Sequence, residues 1–203
     1  MFPFDVILFD VGGVLLTDGW DHCERAEVLE RFHLDAAEFE ARHAKCYAAW
    51  EIGAISLKDY LAATVFYEPR SFPADEFVAA ILAESRLLPG GALEILGELA
   101  ATERCLVGAL NNEARETNDY RFDHFGLRKL FKVVLSSCYL GLRKPDPAIY
   151  KRALDILGRP AERILFIDDR AANVAAAQAQ GIKTIHFEGA EALRHELARL
   201  GVL

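Results

Sequence analysis

Residues 4–16 read Phe-Asp-Val-Ile-Leu-Phe-Asp-Val-Gly-Gly-Val-Leu-Leu, an apolar run in which the carboxylate of Asp10 is followed by Gly12 and Gly13. A continuous apolar run predicts a strand covered on both faces, here with Asp10 at its tip. The two glycines let a ligand come close to the backbone. A carboxylate placed there can attack an electrophile or hold a metal ion.

Similar apolar runs recur along the chain and are separated by segments long enough for helices. Strands that alternate with helices predict an α/β fold, with a Rossmann-like three-layer α/β/α core around a parallel sheet. In such a sheet ligands collect at the carboxyl ends of the strands. The further strands are predicted at 105–110, 132–136, 163–167 and 182–187.

The clearest helix between these strands is predicted at 147–157. Asp146 can cap its first turn, Pro147 is compatible with that turn and Gly158 can end it. Two further helices, each followed by a glycine, are predicted at 171–180 and 190–200.

Residues 18–88 contain no strand-like run but several amphipathic helical patterns. They predict an all-helical cap inserted into an α/β core formed by 1–17 and 89–203. A cap over the carboxyl ends of the strands would close the site from water and select the substrate. Its helices are predicted at 23–32, 36–51, 57–66 and 74–86.

Composition narrows the class of partner. The chain has 203 residues, of which 52% are hydrophobic, enough for one packed domain with an insertion. Its net charge of -8 disfavours nucleic acid and anionic membranes, so a small-molecule partner is expected. No apolar stretch approaches the roughly 20 residues that span a bilayer. The apolar pattern singles out no face for an oligomer.

The four cysteines show neither a CxxC pair nor metal-ligand spacing. The N-terminal stretch runs from Met1 into a strand without the basic and hydrophobic regions of a secretion signal. Free thiols and a cytoplasmic location are therefore expected.

Polar residues fall at the ends of the first four predicted strands. They are Asp10, the pair Asn111 and Asn112, Lys144 in the loop after the third strand, and the pair Asp168 and Asp169. Three carboxylates at one sheet edge repel one another unless a cation lies among them, and oxygen ligands suit Mg²⁺. A lysine beside them would neutralise a phosphoryl group.

In order and spacing these residues resemble the motifs of the haloacid dehalogenase-like hydrolase superfamily. The position of the helical insertion resembles that superfamily's helical-cap subclass, and Trp50-Glu51-Xaa-Gly53 with Tyr60 resembles the cap of its phosphatase branch. The four matching stretches are Phe-Asp10-Val-Gly-Gly-Val-Leu, Leu110-Asn111-Asn112, Gly141-Leu-Arg-Lys144-Pro145-Asp-Pro and Phe-Ile-Asp168-Asp169-Arg-Ala-Ala-Asn173.

The resemblance implies a Mg²⁺-dependent phosphatase that acts on a small phosphorylated metabolite, with sugar phosphates among the candidates. Asp10 would be the nucleophile and form an aspartyl-phosphate, while Lys144 would balance charge on it and on the phosphoryl group. The metal ligands would be Asp10, the carbonyl of Gly12 and Asp169, with Asp168 in support.

The same resemblance implies roles for other residues around the substrate. Asn173 would hold a metal-bound water or the neighbouring acids. Asn111 would donate to a phosphoryl oxygen, and Asn112, Trp50 and Glu51 would contact the substrate together with Lys144.

Two positions depart from the superfamily's pattern. Gly12 stands where most of its phosphatases carry a second Asp that serves as general acid, a role worth roughly 10²–10⁴ in rate. Either the substrate has a good leaving group, or an acid such as Glu51 or Asp21 replaces it, or activity is feeble. Asn111 stands where Ser or Thr is usual, although its amide can still donate.

Two alternatives stay open. A 2-haloacid dehalogenase also uses an aspartate nucleophile and needs no proton donor, but gains nothing from a pair of acids such as Asp168 and Asp169. A non-catalytic protein could bind phosphate esters without turnover. Arg143 and Arg170 adjoin motif residues, and each either contacts a substrate anion or is solvated.

Overall fold

The computed structural model describes residues 2–203, and within them one sheet has five strands. These are β1 (Val6–Phe9), β2 (Leu106–Asn111), β3 (Val133–Ser136), β4 (Ile164–Asp168) and β5 (Lys183–His186). All neighbouring strands are parallel, in the order β3-β2-β1-β4-β5. The predicted parallel sheet is confirmed, and β1 lies at its centre with the carboxyl ends of β2 and β4 on either side.

Helices cover both faces of this sheet and form the insertion. Alternate residues of β1 enter different apolar clusters: Ile7 and Phe9 pack on one face, and Val6 and Leu8 on the other. The helices within residues 2–203 are α1 (His22–Arg31), α2 (Ala36–Glu51), α3 (Leu57–Thr64), α4 (Ala74–Ala83), α5 (Ala92–Thr102), α6 (Arg115–His124), α7 (Ser137–Leu140), α8 (Pro147–Leu157), α9 (Ala171–Gln178) and α10 (Ala190–Arg199).

Helix α8 shows how local sequence fixes an element next to the site. The carboxylate of Asp146 accepts a hydrogen bond from the backbone N–H of Ala148 at 2.8 Å, and Pro147 occupies the first turn. Gly158 ends the helix in the left-handed conformation, with φ 59°. The predicted bounds of this helix are confirmed.

Helices α1 to α4 form a hydrophobic cluster of their own. Its buried side chains come from residues 20–81 and include Trp20, Tyr60 and Phe77, with Ala114 as one contribution from elsewhere. This separate cluster supports the proposed division of the chain into a core and a cap of residues 18–88. None of the helices within residues 2–203 is both long and apolar enough to cross a membrane.

The stretches of chain that enter and leave this helical segment lie side by side. Leu16 and Leu87 form an antiparallel bridge. The N–H of Thr17 donates to the carbonyl of Arg86 at 2.8 Å, and the N–H of Leu88 donates to the carbonyl of Leu15 at 3.0 Å. The pairing of residues 15–17 with residues 86–88, called here the paired crossing, lies where the chain passes from β1 into the helical segment.

Candidate active site

A buried lysine joins two carboxylates at the carboxyl ends of β1 and β4. Lys144, in the loop before α8, is 2% exposed. Its Nζ lies 2.9 Å from Oδ2 of Asp10 and 2.7 Å from Oδ2 of Asp168. Asp10 directly follows β1 and Asp168 ends β4, so the parallel register brings both acids to one point.

The electrostatics of this group follow from its burial. Burial raises the pKa of Asp10, an effect that Lys144 opposes and the charge of Asp168 reinforces. Burial also acts to lower the pKa of Lys144, but the two acids outweigh it and the pKa lies above its usual value. Lys144 therefore keeps its positive charge in the interior.

Asp169 completes a cluster that can hold a cation. One carboxylate oxygen from each of Asp10, Asp168 and Asp169 lies within 4.8 Å of the others. Oδ1 of Asp169 is buried without a hydrogen-bond partner, which is costly for a carboxylate oxygen unless a cation binds it. Burial raises the pKa of Asp169, and the charge of Asp168 adds to the shift. An all-oxygen donor set with an unpartnered oxygen fits Mg²⁺.

Asp168 differs from the other two acids because each of its oxygens already has two protein partners, whereas each oxygen of Asp10 has one. Nδ2 of Asn173 lies 3.0 Å from each of them. The backbone N–H of Arg170 donates to Oδ1 at 2.8 Å, and Lys144 donates to Oδ2. This arrangement leaves Asp10 and Asp169 as the carboxylates with free coordinating capacity, with Asp168 held as a fixed charge behind them.

Gly13 gives a test of the metal site. Its φ of +71° is left-handed, and a Cβ there would lie 2.3 Å from Oδ2 of Asp169. Gly13→Ala is therefore expected to displace Asp169 and to weaken Mg²⁺ binding about 10–100-fold. Titration calorimetry with Mg²⁺ measures this loss.

Gly126→Ala is the matched control for Gly13→Ala. Gly126 has φ +66°, but nothing lies within 4 Å of a Cβ added there. Both variants are expected to lose about 1–2 kcal/mol of unfolding free energy through backbone strain. Equal Mg²⁺ affinities in the two variants would contradict the placement of the metal at Asp169.

A cavity of about 550 Å³ opens at Asp10 and Gly12 and is lined by both the core and the helical segment. Of the side chains predicted to bind substrate, Asn112, Lys144, Trp50 and Glu51 line it. Asn112 also holds the loop of Lys144, since its Oδ1 accepts from the Lys144 N–H at 2.8 Å and its Nδ2 donates to the Lys144 carbonyl at 2.9 Å.

Asn111 does not line the cavity, and its predicted role requires correction. Nδ2 of Asn111 donates to Oδ1 of Asn118 at 2.9 Å, and Oδ1 of Asn111 accepts from Oγ of Ser136 at 2.5 Å. Both ends of the amide are thus bound inside the core, where the side chain is 2% exposed. The prediction that this amide donates to a phosphoryl oxygen is wrong for this arrangement, in which Asn111 links β2, β3 and α6.

Comparisons with known proteins show the family of this chain. A family model described as haloacid dehalogenase-like hydrolase matches residues 4–181. The chain belongs to the haloacid dehalogenase-like hydrolase family. It is 28% identical over 198 residues to flavin mononucleotide hydrolase 1 of Arabidopsis thaliana, covering 97% of this chain and 78% of that protein. It is 33% identical over 122 residues to a phosphoglycolate phosphatase of Rhodospirillum rubrum, covering 60% of this chain and 49% of that protein.

Solved structures show the same fold. A HAD family enzyme of Bacteroides thetaiotaomicron, in complex with magnesium and inorganic phosphate, matches this hydrolase with a TM-score of 0.74 at 21% identity. The match covers 95% of this chain and 98% of that one.

Glu51 joins the helical segment of the hydrolase to its core. It ends α2, and its Oε2 lies 2.7 Å from Nε of Arg143. Its backbone carbonyl accepts from Oγ of Ser137 at 2.7 Å. Burial raises the pKa of Glu51, which Arg143 opposes. Arg143 therefore lines the cavity as the partner of an acid rather than as a solvated side chain.

Arg121 is a residue of the site that the sequence analysis missed. It is 2% exposed, pairs with Glu113 and donates to the backbone carbonyls of Thr17 and Asp18. The signal available in the sequence is the spacing of Thr117, Asn118, Arg121 and Phe122, which places them on one face of a helix. That face is buried, so the arginine anchors the start of the helical segment to the core.

Trp20, His43 and Arg25 line the same cavity and belong to a second polar group. The Tyr60 hydroxyl accepts from Nε1 of Trp20 at 2.9 Å and lies 2.7 Å from Nδ1 of His43. Burial lowers the pKa of His43 to about 4, and the charge of Arg25 adds to this effect, so His43 is neutral at pH 7. Arg25 pairs with Glu40, with Nε and Oε1 2.7 Å apart.

Proposed function

We propose that this hydrolase is a Mg²⁺-dependent phosphatase that cleaves a small phosphate ester through an aspartyl-phosphate on Asp10. The proposal rests chiefly on one observation. Asp10 faces a cavity, contacts the buried charge of Lys144 and lies beside Asp169, whose buried Oδ1 has no protein partner. The two relatives described above, a flavin mononucleotide hydrolase and a phosphoglycolate phosphatase, support the same reaction class.

The residues of the chain divide the reaction between them. A carboxylate oxygen of Asp10 attacks the phosphorus atom, and the bond from phosphorus to the leaving oxygen breaks. Lys144 neutralises part of the negative charge that develops on the phosphoryl group. Bound Mg²⁺, held by Asp10, Asp169 and the Gly12 carbonyl, would supply further positive charge to the phosphoryl oxygens. Water then releases phosphate from Asp10.

The charges of the cavity indicate the kind of leaving group. The four arginines that line it are all paired with acids: Arg25 with Glu40, Arg121 with Glu113, Arg143 with Glu51, and Arg170 with Asp18 and Asp21. These ion pairs offer many hydrogen-bonding atoms. They give little net attraction for an anionic group on the substrate other than the phosphoryl group. A neutral, hydroxyl-bearing leaving group such as a sugar therefore fits the cavity best.

Metal-dependent hydrolysis of p-nitrophenyl phosphate tests the proposed function. We expect turnover with Mg²⁺ and its loss when a chelator removes the metal. A haloacid dehalogenase would instead release chloride from 2-chloropropionate without added metal, and a non-catalytic protein would bind phosphate esters without releasing product. Either of these results, with no nitrophenol released in Mg²⁺, would overturn the proposal.

A further inference from the structure

The position two residues after Asp10 has no side chain, yet the space beside it is filled. The φ of Gly12 lies outside the left-handed region, so its backbone accepts a side chain. A Cβ built on Gly12 would lie 3.1 Å from Oδ1 of Asp18. The carboxyl group of Asp18 therefore occupies the place that a side chain at position 12 would enter.

Asp18 reaches this place because the paired crossing and two arginines hold it there. It directly follows Thr17, whose N–H is bonded to Arg86 across the crossing. Nη1 of Arg121 donates to the backbone carbonyl of Asp18 at 3.4 Å, and Nη2 of Arg170 lies 3.4 Å from Oδ1 of Asp18. The side chain is 34% exposed and lines the same cavity as Asp10. Asp18 therefore lines the cavity at which the Asp10 carboxylate lies.

We propose that Asp18 is the catalytic proton donor to the leaving oxygen, an inference that rests on the proposed phosphatase function. As the bond from phosphorus to the leaving oxygen breaks, that oxygen keeps the electron pair and takes the proton of the Asp18 carboxyl group. Asp18 is then a carboxylate. In the second step water attacks the phosphorus of the aspartyl-phosphate and gives a proton to Asp18. The bond from phosphorus to Asp10 breaks, and both acids return to their starting states.

Two other acids of the cavity, Asp21 and Glu51, lie against groups of the protein. Asp21 caps α1 by accepting from the His22 N–H at 2.7 Å, and it lies 3.0 Å from Nη2 of Arg170. Glu51 lies 2.7 Å from Arg143 at the junction of the two parts of the chain. Among the hydrogen bonds of residues 2–203, the Asp18 carboxylate makes only the longer contact with Arg170, so its side chain can turn toward a substrate in the cavity.

Leaving-group dependence tests this role, because a donated proton matters little for p-nitrophenolate and much for phenolate. Asp18→Asn is expected to lose on the order of 10²-fold in kcat/KM toward phenyl phosphate and less than about tenfold toward p-nitrophenyl phosphate. Asp21→Asn is the matched control, since it also removes an acid beside Arg170, and any loss should be equal for both substrates. Equal losses in Asp18→Asn would overturn the proposal while leaving the phosphatase function intact. If the native chain hydrolyses neither ester in Mg²⁺, the proposed function fails and this inference fails with it.

Moving the acid gives a second test. Gly12→Asp alone is expected to lower activity, because two carboxyl groups then compete for one space. In the Asp18→Ala background the same Gly12→Asp substitution is expected to recover at least about tenfold of the activity toward phenyl phosphate, since the acid regains a place beside the leaving oxygen. Thermal unfolding confirms that each variant is folded. A rise in phenyl phosphate hydrolysis from Gly12→Asp alone would overturn the proposal, since it would show that the native site lacks an acid.

Discussion

Asp10→Asn is expected to reduce hydrolysis of p-nitrophenyl phosphate in Mg²⁺ by about 10⁴-fold or more, because an amide cannot attack phosphorus as a carboxylate does. The fold should be retained. Oδ1 of Asp10 accepts a hydrogen bond from the Val11 N–H at 2.8 Å, which an asparagine oxygen can also accept. Lys144 keeps its contact with Asp168. Initial rates and thermal unfolding, measured on the same preparation, separate loss of the nucleophile from loss of structure.

Asp155→Asn is the control for Asp10→Asn. Asp155 is exposed on α8, and the Asp155→Asn variant should hydrolyse the ester at the native rate. Retention of more than about a hundredth of the native rate by Asp10→Asn would show that Asp10 is not the nucleophile.

Lys144→Met is expected to affect both activity and stability. The buried lysine lies between Asp10 and Asp168, so its removal leaves two buried carboxylates facing each other. Breaking a buried ion pair by removing one partner costs about 3–5 kcal/mol of unfolding free energy. Turnover should also fall strongly, because the lysine that contacts Asp10 no longer neutralises charge on the phosphoryl group. Urea unfolding measures the loss of stability, and initial rates measure the loss of activity.

The effect of Mg²⁺ on the stability of the Lys144→Met variant gives a further test. A divalent cation at Asp10 and Asp169 would relieve part of the repulsion, so Mg²⁺ should stabilise the variant more than the native chain. Lys151→Met removes an exposed lysine on α8 and serves as the control. It should unfold at the same urea concentration as the native chain, with or without Mg²⁺. A Lys144→Met variant as stable as Lys151→Met would contradict the bridging role of Lys144.

The sequence was sufficient to predict the elements whose formation depends on local pattern. The buried strands are continuous apolar runs, and α8 carries its own cap at Asp146 and its own stop at Gly158, so their positions agree closely with the structure. The clustering of Asp10 and Asp168 was also predictable, because parallel strands place their carboxyl ends at one edge.

The sequence was not sufficient where tertiary packing decides which way a side chain points. Asn111 and Asn112 are adjacent and identical, but one is bound within the core by Asn118 and Ser136 and the other lines the cavity. Asp18 reaches the space beside Gly12 only because the chain crosses into the helical segment beside its returning strand. Neither arrangement leaves a periodic signal in the sequence.

Gly12 illustrates how these two kinds of information combine. The sequence shows that an acid is missing from the position that follows the nucleophile by two residues. In the structure a carboxylate oxygen of Asp18 lies 3.1 Å from the position of a Cβ on Gly12. This contact is the basis for the proposal that a carboxyl group from a different position in the chain serves as the acid.

Trapping of the covalent intermediate with hydroxylamine tests the central claim most directly. An acyl phosphate on Asp10 has an activated carbonyl, so hydroxylamine added during turnover of p-nitrophenyl phosphate in Mg²⁺ should convert Asp10 to its hydroxamate and inactivate the enzyme progressively. Mass spectrometry should find this change on the peptide that contains Asp10, only when both ester and Mg²⁺ are present. Unabated turnover in hydroxylamine, with an unmodified Asp10 peptide, would contradict phosphoryl transfer to Asp10.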